Sequence, residues 1–331
     1  MALPAPRRLV LALVVSAALG SCASPTRGPE VWFTPNLGSL DMLDLFTRPT
    51  LWRAARQATT VFKFYQRALL ADTPAACPEC GRNILPELAR VDAFNRLNSW
   101  GISIGIEVGA LKSWGCAASA TLPPTLEAVR RVEAHQAVVS VLAMDEPLLG
   151  ARDCDLSLDE AAVHVSRFAV QARAGRPGLR VGDIEPYPVL SVPTLLDWLA
   201  ALRGNGFTPA FLHLDVDRAH AARIGADVAG DLRTLRANVE AQGIPLGVIF
   251  WSEVNTSDAA YAADVTSWVE TVHAAIGQPT QSIFQSWIAS PDGAQRVPSN
   301  LPEADAAVQT HTRLLNDGLA DLRRAATPGP R

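Results

Sequence analysis

The sequence predicts a single-domain α/β protein, a (β/α)8 (TIM) barrel, and three observations predict it. Eight short apolar runs alternate with segments of helical period. The runs are apolar almost throughout, as strands covered on both faces are. Five successive runs end in carboxylates, and in such barrels chemistry sits at the C-terminal strand ends.

The elements follow in order. "VWFTPN" (31–36) is a first strand, followed by a helix around "PTLWRAARQA" with Pro49 in its first turn. "TVFKFY" (60–65) is the second strand; a loop carrying "CPECG" leads to a helix around "LPELARVDAFNRLNSW", closed by Gly101. "ISIGIEVGAL" (102–111) is the third, "PPTLEAVRRVEAHQ" the helix after it and "VVSVLAMDEPL" (138–148) the fourth strand. Ser157 and Glu160 have capping-box spacing at the next helix, and Gly175 stops it. "RVGDIEPYP" (180–188), "PAFLHLDVD" (209–217), "PLGVIFWSE" (245–253) and "QSIFQSWI" (281–288) are strands five to eight. Helices around "VPTLLDWLAALRGNG", "AHAARIGADVAGDLRTLRANVEAQG" and "DAAYAADVTSWVETVHAAIG" separate them, and a last helix lies near 302–325. A doubly wound open sheet would need a glycine-rich phosphate loop after strand one, and "NLGSLDML" lacks that spacing.

Residues 1–21 carry Arg7 and Arg8 before the apolar "LVLALVVSAALG", the charge pattern and length of a secretory signal. Leu19-Gly20-Ser21-Cys22 resembles a bacterial lipobox, which implies lipidation at Cys22 and a tether to the bilayer over 22–30. The expected domains are therefore 1–21 signal, 22–30 tether, 31–325 barrel and 326–331 disordered tail. The expected location is the cell envelope, lipid-anchored, on its periplasmic or extracellular face. A net charge of −4 without a basic cluster argues against nucleic acid as partner. Only Lys63 and Lys112 are lysines, so a lysine inside a strand stands out.

Beyond Cys22 the cysteines are Cys77, Cys80, Cys116 and Cys154. An even number in an exported chain reads as two disulfides. "CPECG" is also compatible with half a zinc site, but there is no second CxxC. The cysteine loops follow strands two, three and four on one rim, where a Cys116–Cys154 bridge would shape a cleft.

The rim acids carry the chemistry. Glu107 ends strand three, Asp145 and Glu146 strand four, Asp183 and Glu185 strand five, His213, Asp215 and Asp217 strand six, and Glu253 strand seven. Helix capping explains an Asp such as Asp217 or Asp41. It does not explain Glu146 or Glu185, each followed by proline, or Glu253 after Trp251. Glu146 and Glu253 would face each other across the mouth, as glycoside hydrolysis requires of its two carboxyls. Trp32, Tyr65, Trp114, Tyr187, Trp251 and Trp287 lie at or beyond strand ends, where rings can stack on sugars.

With Glu146 in "MDEP", Glu253 in "FWSE" and Trp287 in "QSW", the layout resembles the clan of retaining (β/α)8 glycoside hydrolases. The resemblance implies Glu146 as acid/base and Glu253 as nucleophile. Lys63, Glu107, Asp145, Glu185, Tyr187, His213, Asp215, Trp251 and Trp287 would bind a carbohydrate substrate, with no cofactor and no metal. The chain departs from that clan at Asp145, where Asn is usual, and at Lys63, where Arg is usual. The strand-six Tyr is absent, with Tyr187 or His213 as stand-ins. Two alternatives stay open: a barrel holding a divalent metal through Glu185, His213, Asp215 and Glu253, and a non-catalytic carbohydrate-binding barrel. Composition does not fix the oligomeric state.

Overall fold

The chain closes into a barrel of eight parallel strands, each paired with the next and β8 with β1. The computed structural model describes residues 28–35, 41–70, 83–254, 256–286 and 298–324. The strands are β1 (Glu30–Thr34), β2 (Val61–Tyr65), β3 (Ser103–Val108), β4 (Val139–Asp145), β5 (Arg180–Tyr187), β6 (Leu212–Val216), β7 (Leu246–Phe250) and β8 (Gln281–Gln285). The expected single-domain (β/α)8 barrel is therefore present.

Alternation along each strand sorts side chains into two cores. Outward residues such as Phe62, Ile104, Leu142, Val181, Leu214 and Phe284 pack under the helices in the large core. Inward residues Trp32, Val61, Val141, Ala143, Ile184, Phe211, Ile249 and Ile283 fill the barrel. Gly182 belongs to this inner packing: a Cβ there would stand 2.3 Å from the Phe211 ring, so the ring takes the space a side chain would need. Below this layer lies a polar floor. Arg180 donates to Glu30 at 2.9 Å, Gln281 donates to Glu30 at 2.8 Å, and His213 Nε2 bonds Gln281 Oε1 at 2.7 Å. Polar groups at this depth persist because they satisfy one another.

Several helices differ from the sequence pattern, among them the last, which is His311–Leu322 rather than 302–325. The segment 219–243 is two helices, Arg218–Ile224 and Val228–Glu240, because Gly225 adopts φ 68° and Asp227 caps a new start by accepting from Gly230 N. The segment 85–100 likewise splits into Leu85–Arg90 and Ala93–Ser99 around Asp92 at φ 57°. The helix expected from Pro123 begins earlier, Ala118–Glu133, with Pro123 and Pro124 inside it. A short helix, Pro147–Asp153, follows β4 directly. The capping box of Ser157 and Glu160 forms as its spacing requires.

Candidate active site at the C-terminal rim

The last inward position of each strand faces the mouth, and polar side chains gather there. Lys63 on β2 is completely buried; its ammonium donates to Gln285 Oε1 of β8 at 2.7 Å and ion-pairs with Glu107 of β3. Gln285 Nε2 donates to the same Glu107 carboxylate at 3.3 Å. A cation sealed in a barrel needs this much compensation. Burial pushes the Glu107 carboxyl upward in pKa, and the charge of Lys63 opposes that. Tyr65, next along the inner face of β2, donates to the carbonyl of Ser286 at 3.3 Å.

On the neighbouring strands, Lys112 holds the end of β4. Its ammonium lies 2.6 Å from Asp145 and 3.8 Å from Glu146. Across the mouth, Trp251 Nε1 donates to Asp215 Oδ1 of β6 at 2.6 Å. Burial, and next the charge of Glu146, pushes Asp215 well up. Asp215 also feels Asp145 and Glu107, so these four acids form one electrostatic group.

Glu146 has the most unusual setting in the group. It follows β4 at φ 48°, ψ 51°, a left-handed conformation that glycine favours and glutamate rarely adopts. It occupies the cap position of helix Pro147–Asp153, yet its side chain makes no cap hydrogen bond. Glu146 thus stands at the cap position without capping the helix, so capping does not explain its carboxyl, in line with the sequence expectation. That side chain is 25% exposed. Burial, then the adjacent Asp145, pushes its pKa up to about 7, with Lys112 opposing. A carboxyl poised there can give or take a proton near neutrality.

The loop bearing Lys112 is fixed by a disulfide. Cys116 is bonded to Cys154, with a Cα–Cα distance of 5.5 Å, tying the β3 loop to the end of helix Pro147–Asp153. At Gly150 a Cβ would stand 2.2 Å from the Leu111 carbonyl oxygen, so only glycine lets loop and helix approach this closely. The Trp114 ring lies against Gly109 and is 60% exposed at this edge of the mouth.

Several expected site residues lie elsewhere. Glu185 and Tyr187 share the outward face of β5 with Asp183. Glu185 accepts from Leu148 N at 2.7 Å, and Tyr187 donates to Asp231 of helix Val228–Glu240. Neither faces the mouth. His213 lies two layers down, stacked on Phe211 at 4.2 Å, because β6 continues to Val216. Glu253 is exposed beyond β7, which ends at Phe250. Burial and the neighbouring Asp217 push its carboxyl up, with Arg218 and Asp264 also near; Glu146 responds to Asp145, Lys112, Glu107 and Asp153. The strongest electrostatic neighbours of Glu253 therefore differ from those of Glu146. The proposed metal set of Glu185, His213, Asp215 and Glu253 is dispersed by the same placements. Among the described residues no three His, Cys, Asp or Glu side chains are grouped to hold a metal. Trp32, read from sequence as a rim aromatic, is fully buried inside the barrel. Cys22, Cys77, Cys80 and Trp287 lie outside the described residues.

No family model matches the chain, and no protein of curated function matches its sequence. Solved structures do resemble it. Active domain 2 of the chitinase from Pyrococcus furiosus, in a study of catalytic-site mutants, is 11% identical, with a TM-score of 0.50 over 92% of this chain and 100% of that one. A psychrophilic glycoside hydrolase family 10 endo-β-1,4-xylanase is 8% identical, with a TM-score of 0.51 over 87% and 96%. A family 10 xylanase from Thermobacillus composti is 8% identical, with a TM-score of 0.50 over 88% and 97%. The fold is the (β/α)8 barrel that these structures share. At these identities the likeness is one of fold.

Two rim residues escaped the sequence reading. Lys112 was visible as one of only two lysines but lies outside any strand, and Gln285 is signalled only by inward alternation with Gln281 and Ile283 on β8.

Proposed function

We propose that this barrel is a glycoside hydrolase acting on an extracytoplasmic poly- or oligosaccharide, with Glu146 as the proton donor. The observation that carries the reading is the setting of Glu146: a left-handed residue whose carboxyl is three-quarters covered at the mouth and pushed up to about 7 by burial and by Asp145. The proton passes from Glu146 to the glycosidic oxygen, the bond to the anomeric carbon breaks, and water adds there, returning a proton to the site. The second carboxylate is Asp145. It is ion-paired with Lys112 and lies at the last position of β4, where its charge opposes the positive charge that develops on the sugar ring. Glu253 is not assigned that role, because its neighbours are Asp217, Arg218 and Asp264. Glu107, held by Lys63 and Gln285, and Asp215, held by Trp251, are assigned to sugar hydroxyls. Trp251 and Trp287 are assigned as stacking platforms. Lipidation at Cys22 would keep the enzyme at the cell envelope, and loss of palmitate labelling in Cys22→Ser tests that placement.

The test is reducing-end release from hexasaccharides of β-1,4-xylan, β-1,4-glucan and chitin, with binding measured in parallel. Wild type should cleave at least one member of such a panel, and Glu146→Gln should bind it and not cleave it. Binding by wild type without cleavage would support the non-catalytic alternative. No binding to any polysaccharide would overturn the carbohydrate reading.

A further inference from the structure

Behind the mouth, on the helix side of β5, two buried carboxyls take no part in the proposed reaction. Asp183 and Glu185 stand two residues apart on the outward face of the strand, both fully covered. Trp198 Nε1 donates to Asp183 Oδ2 at 2.8 Å, and Leu148 N donates to Glu185 Oε1 at 2.7 Å. The other oxygen of each has no hydrogen-bond partner among the described residues. Burying a carboxyl with half its capacity unused costs free energy, so some gain elsewhere is expected.

For Glu185 the gain is visible in what it holds. Leu148 is the second residue of helix Pro147–Asp153, which starts immediately after Glu146. Pro147 has no N–H, and Glu146 makes no side-chain cap, so Leu148 carries the first free donor of that helix. Glu185 takes it. One residue back along β5, the carbonyl of Ile184 accepts from Glu146 N at 2.9 Å. Residues 184 and 185 therefore grip the chain on both sides of the Glu146 peptide. The left-handed conformation between these grips is unfavourable for a non-glycine residue and persists only where the surroundings fix it.

We infer that Glu185 is a positioning residue for Glu146: from behind the barrel wall it anchors the first turn of the helix and so keeps the acid in its left-handed conformation at the mouth. This rests on the reading of Glu146 as proton donor. Burial, and next the neighbouring Asp183, pushes Glu185 well up. The groups that bear on Glu146 are Asp145, Lys112, Glu107, Asp153 and Asp215, and those that bear on Glu185 are Asp183, Glu146 and Lys112.

Titration of the Glu146 carboxyl by ¹³C NMR, with its signal assigned by loss in Glu146→Gln, tests this without a substrate. Glu185→Gln keeps an oxygen to accept from Leu148 and should leave the Glu146 midpoint where wild type has it. Glu185→Leu removes the acceptor, frees the turn and should lower the midpoint by about a unit or more as the carboxyl gains water. Leu148→Pro removes the donor instead and should shift it in the same direction, which serves if Glu185→Leu does not fold. A wild-type midpoint in both Glu185→Leu and Leu148→Pro would overturn the positioning role while leaving the proton donor intact. An ordinary glutamate midpoint in wild type would instead overturn the proton donor, and the inference with it.

Discussion

Lys112 reaches Asp145 at 2.6 Å and stops 3.8 Å short of Glu146, so one ammonium pairs with the first carboxylate and restrains the second. Its charge is the main influence opposing the rise of the Glu146 pKa. Replacing it by methionine keeps the length and removes the charge. Lys112→Met should therefore move the Glu146 midpoint upward from about 7, by roughly a unit. A midpoint that stays or falls in the NMR titration would show that Lys112 does not act on Glu146.

The raised pKa has a stability consequence of definite sign. Glu146 binds its proton more tightly folded, to about 7, than unfolded, at 4.5. Between those values the native state holds the proton that the unfolded chain has lost, so stability falls as pH rises through the window and then levels off. Glu146→Gln cannot ionise and escapes this. It should match wild type near pH 4 and exceed it at pH 8 by up to about 3 kcal/mol, taking about 1.4 kcal/mol per unit. Urea unfolding at the two pH values measures it.

The Lys63–Glu107 pair is buried in the barrel, with Lys63 fully covered. Removing one partner strands the other charge. Lys63→Met should cost about 3–5 kcal/mol of unfolding free energy, and Lys63→Met with Glu107→Leu should recover most of it. A single variant as stable as wild type would show that the pair is not what holds this corner.

The Cys116–Cys154 bridge closes a loop across a sequence separation of 38 residues. Chain entropy assigns such a closure about 3–4 kcal/mol. Cys116→Ser with Cys154→Ser should lose up to that much and also loosen the grip of Lys112, shifting Glu146 upward as Lys112→Met does. Peptide mapping without reduction checks the pairing itself.

Much of the fold was legible because each strand of a parallel barrel is covered on both faces and so reads as an apolar run. That same property hid half of the site. A run apolar on both faces does not say which parity points inward, so the Glu185 and Tyr187 side chains, on the outward parity of β5, looked as available as Glu107, Asp145 and Asp215. Strand ends were the second blind spot. β7 stops at Phe250, leaving Glu253 beyond the ladder, and β6 runs on to Val216, leaving His213 deep inside. Glu146 was found for a local reason, an acid before proline at the end of a buried strand, but its left-handed backbone has no sequence signal.

The central claim is that Glu146 gives a proton to a leaving sugar oxygen, and leaving-group dependence tests it most directly. Once a cleaved oligosaccharide is known, Glu146→Gln would be compared with wild type on it and on the matching dinitrophenyl glycoside, whose leaving group needs no proton. The account predicts that the variant loses at least about a hundredfold on the oligosaccharide, the usual scale of general acid catalysis, and keeps most of its activity on the dinitrophenyl glycoside. Equal loss on both, or no loss on either, would contradict it.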